Sequence, residues 1–159
     1  MSKHVADVMT RKPITVQPDT PLQTAIELLA HHKISGLPVV DAQQKMVGIL
    51  SESDLMWKAI GVPLPAYIMV LDSVIYLKNP ARYQEELHKV LGQQVQDAMT
   101  KTVVKTNPDA TVREAAQLMH DRNVRRLPVL DETQTLVGIL TRGDIVREMA
   151  QQRQLQPQP

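Results

Sequence analysis

The chain has 159 residues, 43% of them apolar and 22% charged, the make-up of an ordinary globular protein with room for one compact domain or two small docked halves. A net charge of +1 provides no global field to favour nucleic acid or an anionic membrane, and the absence of cysteine excludes disulfides, thiolate metal sites and thiol catalysis. No apolar run approaches the roughly 18 residues of a membrane span, and Met1-Ser2-Lys3-His4 lacks the apolar core of a secretory signal, so a cytoplasmic protein is expected.

The elements come twice. Val5 to Ala59 aligns without gaps with Val95 to Met149 at a constant offset of 90, with 18 of 55 positions identical, which marks an internal duplication. The matches include Met9-Thr10 with Met99-Thr100, Leu37-Pro38-Val39 with Leu127-Pro128-Val129, and Val47 to Leu50 with Val137 to Leu140. In chain order, Ile14 to Val16 (Val103 to Lys105 in the second unit) is a short extended piece ending at a proline. A helix follows, with Thr20 as N-cap, Pro21 at its first position and Gln23 closing a capping box. Its apolar stripe is Leu22, Ala25, Ile26 and Leu29. The second unit is expected to start this helix one residue later, from Thr111 with Glu114, and carries Val112, Ala115, Ala116 and Met119.

Two short apolar runs, Leu37 to Val40 and Met46 to Leu50, flank a polar turn and predict adjacent buried strands. A second helix begins near Asp54 or Asp144. The order strand, helix, strand, strand, helix predicts an α/β (α+β) protein of two pseudo-symmetric units. About 55 residues bury too little apolar surface to stand alone, so the units are expected to pack on each other.

Between the units lies an insert, residues 60–94, that holds three of the four aromatic residues, Tyr67, Tyr76 and Tyr83. Its Gly61 to Pro65 stretch breaks the preceding helix. The mostly apolar Ala66 to Leu77 is read as helical, and Asn79-Pro80 opens a second helix running to Leu91. A helical hairpin covering an edge is expected, with a dimerisation or partner surface as the alternative. The domain boundaries are therefore 1–59, 60–94 and 95–150, followed by a Gln-rich tail, 151–159, expected to be disordered.

The chemistry concentrates in Gly48-Ile49-Leu50-Ser51-Glu52-Ser53-Asp54 and its counterpart Gly138 to Asp144. A strand ends at the hydroxyl residue, a helix starts within the next turn, and the Asp stands at its third position. One reading is a capping box alone. The other uses the same geometry for a ligand: a carboxylate accepts from two neighbouring ribose hydroxyls, while free amides and the Ser51 or Thr141 hydroxyl meet phosphate. Upstream, Ile34-Ser35-Gly36-Leu37-Pro38 aligns with Val124-Arg125-Arg126-Leu127-Pro128. Gly36 admits a planar ring close to the backbone, the prolines suit a sheet edge, and Arg125 and Arg126 are forks suited to phosphate or to a solvated basic patch.

These linked motifs, present in both copies, resemble the CBS (cystathionine-β-synthase-type) domain, tandem pairs of which form the Bateman module. The resemblance covers the two repeats but not the insert. It implies two CBS repeats packed together with two clefts between them that bind AMP, ADP, ATP or S-adenosylmethionine. It assigns Asp54 and Asp144 to ribose and places Ser51 and Thr141 beside them. Ile14, Ile34, Gly36 and Pro38 form the adenine wall of one cleft, and Val104, Val124 and Pro128 that of the other, with Met9 and Met99 entering the walls. Arg125 and Arg126 reach the phosphates, with Arg142 adding charge nearby, and Ser35-Gly36 replaces the arginine pair in the first repeat. The clefts are therefore expected to differ.

No GxxxxGK or GxGxxG loop, HExxH pattern or evident Ser–His pair is present. The expectation is thus a regulatory adenine-nucleotide-binding module with no catalytic residues, metal or required cofactor. It would act as a homodimer on an unidentified partner, with nucleic acid and membrane disfavoured. A dimerisation scaffold with vestigial clefts, S-adenosylmethionine binding and nucleic-acid binding are the alternatives.

Overall fold

The computed structural model describes residues 3–60, 67–70, 73–76 and 92–154. The elements in chain order are α1 (Val5–Val8), β1 (Thr10–Arg11), α2 (Leu22–His32), β2 (Gly36–Val40), β3 (Met46–Ser51) and α3 (Glu52–Ile60). They continue with β4 (Tyr67–Val70), β5 (Ser73–Tyr76), α4 (Val95–Ala98), α5 (Val112–Asp121), β6 (Arg126–Leu130), β7 (Leu136–Thr141) and α6 (Arg142–Gln154). This is the mixed α and β class expected of the duplication.

The chain divides into two compact units that exchange their leading segments. The first holds Met1–Thr15, Val40–Met46 and Thr102–Pro159, the second Val16–Val39 and Val47–Lys101. In the first unit the sheet order is β1-β7-β6, with β1 antiparallel to β7 through Thr10↔Ile139 and Arg11↔Gly138. Hydrogen bonds from Val5 N–H to Ala110 O (2.8 Å), Ala6 N–H to Pro108 O (3.0 Å) and Val112 N–H to Lys3 O (2.9 Å) seat the α1 segment on the start of α5. The second unit repeats them at the same offset: Val95 N–H to Thr20 O (2.9 Å), Gln96 N–H to Pro18 O (2.9 Å) and Leu22 N–H to Gln93 O (2.7 Å).

The core of the first unit is Val5, Ala115, Met119, Leu127, Val129, Leu140 and Ile145, so the α5 stripe and the inward residues of β6 and β7 close on α1. In the second unit Val16, Leu22, Ala25, Leu29, Leu37, Val39, Leu50, Val95 and Ala98 are all buried. Five-residue strands buried from end to end, as β2 is, explain why the sequence shows continuous apolar runs there instead of alternation.

Three expectations are corrected. Helix α2 has Pro21 at its N-cap with no side-chain cap, and the Thr20 hydroxyl instead accepts from Gln17 N–H at 3.0 Å to close the preceding turn. Both first helices therefore start in the same register of the repeat, and only Thr111 forms the expected box with Glu114. There the Thr111 amide and hydroxyl hold the Glu114 carboxyl below its ordinary pKa. Second, Tyr67–Val70 and Ser73–Tyr76 are not helical but an antiparallel pair, in the register Tyr67↔Tyr76 and Val70↔Ser73. Val, Ile and Tyr fit a pleated ladder better than a helix. The helix expected over Pro80 to Leu91 lies outside the described residues. Third, α6 runs on to Gln154, so residues 151–154, expected to belong to a disordered tail, are helical, in keeping with Gln and Arg as adequate helix formers.

Gly48 and Gly138 hold the exchanged segments. A Cβ at Gly48 would lie 2.7 Å from Met99 Sδ and 3.0 Å from Thr100 O, and one at Gly138 would lie 3.0 Å from Thr10 O. The sulfur can turn aside but the carbonyl is part of a ladder, with Ile49 and Thr100 exchanging both backbone hydrogen bonds at 2.9 Å. Gly48→Ala is expected to destabilise the protein by about 1–3 kcal/mol, the usual range for overpacking. Urea unfolding of the variant checks this, and an unchanged midpoint would show that the strand yields freely.

Candidate functional site

The same junction is built twice. Ser51 ends β3 and Glu52 begins α3, which puts Asp54 in the first helical turn. Its Oδ2 accepts from the Ser51 amide at 2.9 Å and from the Ser51 hydroxyl at 3.1 Å. In the second repeat Asp144 Oδ2 accepts from the Thr141 amide and hydroxyl, both at 2.7 Å, and the Thr141 hydroxyl accepts from Asp144 N–H at 3.2 Å. Both carboxylates are buried, Asp54 at 7% exposure and Asp144 at 6%. The carboxylate side of the expected cap is therefore present in both copies, with the hydroxyl accepting from the helix in the second, and it fixes each carboxylate at the mouth of a strand–helix turn.

A second tie brings the residues before β2 and β6 to the same place. Glu52 N–H donates to Ser35 O at 3.2 Å, and Arg142 N–H donates to Arg125 O at 3.0 Å. Arg126 stands opposite Thr141 in the β6–β7 register, and Arg142 Nε donates to Val124 O at 3.1 Å. Val124, Arg125, Arg126, Thr141, Arg142 and Asp144 thus converge at one end of the first unit, and Ile34-Ser35-Gly36, Ser51 and Asp54 at the matching end of the second. Arg125 is exposed and Arg126 half-buried. Of the amides at these helix starts, Glu52, Arg142 and Asp144 N–H are committed inside the protein.

Pro38 and Pro128 sit within their strands, and β6 is the edge of its sheet, where a missing donor breaks no ladder. Their carbonyls accept from Val16 N–H at 3.1 Å and Thr106 N–H at 3.0 Å, which carries the extended pieces after Ile14 and Val104 alongside. Met9, Val104 and Val124 pack against the core of the first unit, while Met99 lies over Gly48 in the second. Ile14 falls in the first unit, whereas Ile34, Gly36 and Pro38 fall in the second. Arg142 also lines a cavity of about 270 Å³ with Ala116, Met119, His120, Ile145 and Val146, on the α5–α6 side of its unit.

Two neighbours of the carboxylates escaped sequence reasoning. The Thr100 hydroxyl donates to Asp54 Oδ1 at 2.9 Å, and Arg147 Nη2 donates to Asp144 Oδ1. Thr100 was legible only as half of the repeated Met-Thr pair, and Arg147 only as a base three residues after an acid on a helix. Among the described residues no cluster of three or more His, Asp or Glu side chains is placed to hold a metal.

The CBS domain model matches residues 5–60 and 95–151, the two halves of the repeat. The chain belongs to the CBS domain family. It is 37% identical to the Methanocaldococcus jannaschii protein MJ1426 over 91% of this chain and 90% of that one. It is 34% identical to the chloroplastic CBS domain-containing protein CBSX1 of Arabidopsis thaliana over 92% of this chain, but spans only 64% of CBSX1. Among solved structures, CBSX2 in complex with AMP superposes with a TM-score of 0.78 at 32% identity, over 93% of this chain and 97% of that one. The CBS domain pair of MJ0100, in complex with 5′-methylthioadenosine and S-adenosyl-L-methionine, gives 0.71 at 25% identity over 96% and 99%. Each matched range contains one of the two junctions, Gly48 to Asp54 in the first and Gly138 to Asp144 in the second.

Proposed function

We propose that this CBS pair is a regulatory module that binds an adenine nucleotide at its two strand–helix junctions, acts on a partner protein in the cytoplasm and catalyses nothing itself. The observation that carries this reading is the repeated buried carboxylate, Asp54 and Asp144, fixed by a hydroxyl residue at the turn. A ribose diol presents two donors, and a carboxylate has about four acceptor positions, of which the cap uses two and Thr100 or Arg147 a third that a ribose hydroxyl would take over. Ile34, Gly36 and Pro38, and Val104, Val124 and Pro128, are the residues we assign to the base, and Ile14, Met9 and Met99 are assigned to it as well. Arg125, Arg126 and Arg142 are assigned to phosphate. The AMP complex of CBSX2 supports the ligand class.

The MJ0100 complex keeps S-adenosylmethionine as a second reading. The guanidinium groups of Arg125, Arg126 and Arg142 oppose its sulfonium and favour the phosphate of AMP, ADP or ATP. Calorimetry on Asp54→Asn and Asp144→Asn tests the ribose assignment, since Asn keeps the size and one acceptor of the cap. Losing charge-assisted hydrogen bonds worth about 1.5–3 kcal/mol weakens AMP binding roughly 10- to 100-fold at the altered site. Wild-type affinity at both sites in both variants would refute the assignment, and S-adenosylmethionine binding more tightly than AMP to the parent would favour the second reading.

We also propose that the module is a homodimer formed through its last helices. Met56 and Ile60 on α3 are 51% and 76% exposed, and Val146 and Met149 on α6 are both 63% exposed. Apolar surface of this kind marks a contact face. Sedimentation at micromolar concentration is expected to give the dimer mass, and replacing Val146 and Met149 by Glu is expected to give the monomer.

A further inference from the structure

The two junctions share a cap but differ at the outer carboxylate oxygen. Asp54 Oδ1 accepts from a neutral hydroxyl, that of Thr100, whereas Asp144 Oδ1 accepts from the guanidinium of Arg147. Arg147 lies across the first turn of α6, and its Nη1 would be 3.5 Å from a Cβ at Gly143. The group therefore covers both the carboxylate and the start of the helix while its side chain remains 69% exposed. The residue 90 positions earlier is Trp57, which carries no cation, so the duplication did not supply this pairing twice.

We infer that Arg147 is a latch on the second site, a specificity-determining residue that a ribose must displace before it can use Asp144. This rests on the ribose assignment made above. The Thr100 hydroxyl can turn and accept from an incoming ribose O–H. A guanidinium has no acceptor and can only compete. While it remains on Oδ1 it also neutralises the carboxylate, so a ribose hydroxyl there loses the charge assistance that makes such bonds strong. The side chain is solvated, so the latch is weak enough to open. Its strength is that of an exposed ion pair on a helix, and it fades as salt rises.

Adenosine is the probe, because it carries no phosphate to form an ion pair with Arg147. The full-length chain and Arg147→Met are titrated with adenosine by calorimetry at low salt and at 0.5 M NaCl, with AMP as a control and thermal unfolding to verify the fold. The variant is expected to bind adenosine about two- to five-fold more tightly at low salt, the fold-change equivalent of an exposed pair, with the gap closing at high salt. Arg147→Lys, which keeps the charge, is expected to behave like the parent. Equal or weaker adenosine binding by Arg147→Met, with AMP still bound, overturns the latch and leaves the nucleotide reading standing. Failure of both proteins to bind either ligand overturns the nucleotide reading and the latch with it.

Discussion

The structure depends on a carboxylate buried at the point where a strand turns into a helix. Leaving such a group without donors would cost several kcal/mol, and the Ser51 or Thr141 amide and hydroxyl meet that demand from three residues away. Because both donors fall on one oxygen, Oδ2, the cap leaves the other oxygen to face another partner. In the second unit as in the first, that outer oxygen is where the repeats diverge. The cap and the proposed ribose contact would use the same carboxylate, and neither reading of the motif excludes the other.

The second constraint is the exchange of leading segments. Val5 and Val95 are fully buried, each within a unit built mainly from the other repeat. The glycines at 48 and 138 let Met99-Thr100 and Met9-Thr10 lie against the strands that lead into the capped turns. Thr100 is thereby delivered to Asp54. A repeat alone would lack both this wall and, in the first repeat's case, the hydroxyl on its carboxylate, which gives physical content to the expectation that one copy of about 55 residues is insufficient.

Much of this was legible in the sequence because the period of 90 checks every assignment twice. The paired apolar runs, the Thr111 box and the Asp at each helix start follow from residue type and spacing. The misreadings have separate causes, tertiary context for Thr20 and local propensity for the insert. Thr20 looks like an N-cap, yet its carbonyl is taken by Val95 from far along the chain and its hydroxyl by Gln17. Residues 66–77 have no counterpart in the duplication, and an apolar stretch without clear periodicity was read as helix although its Val, Ile and Tyr content favours strands. Arg147 was invisible for the opposite reason, since an acid and a base three apart on a helix are common and carry no site signal until the acid is seen to be buried.

The most direct test of the account is a titration of the isotope-labelled protein with AMP, followed by amide NMR. The account predicts saturable shifts centred on Ser51, Ser53 and Asp54, and on Thr141, Gly143 and Asp144, with the glycine and threonine resonances among the largest. Saturable shifts confined to the α5–α6 face, with both junctions silent, would contradict it.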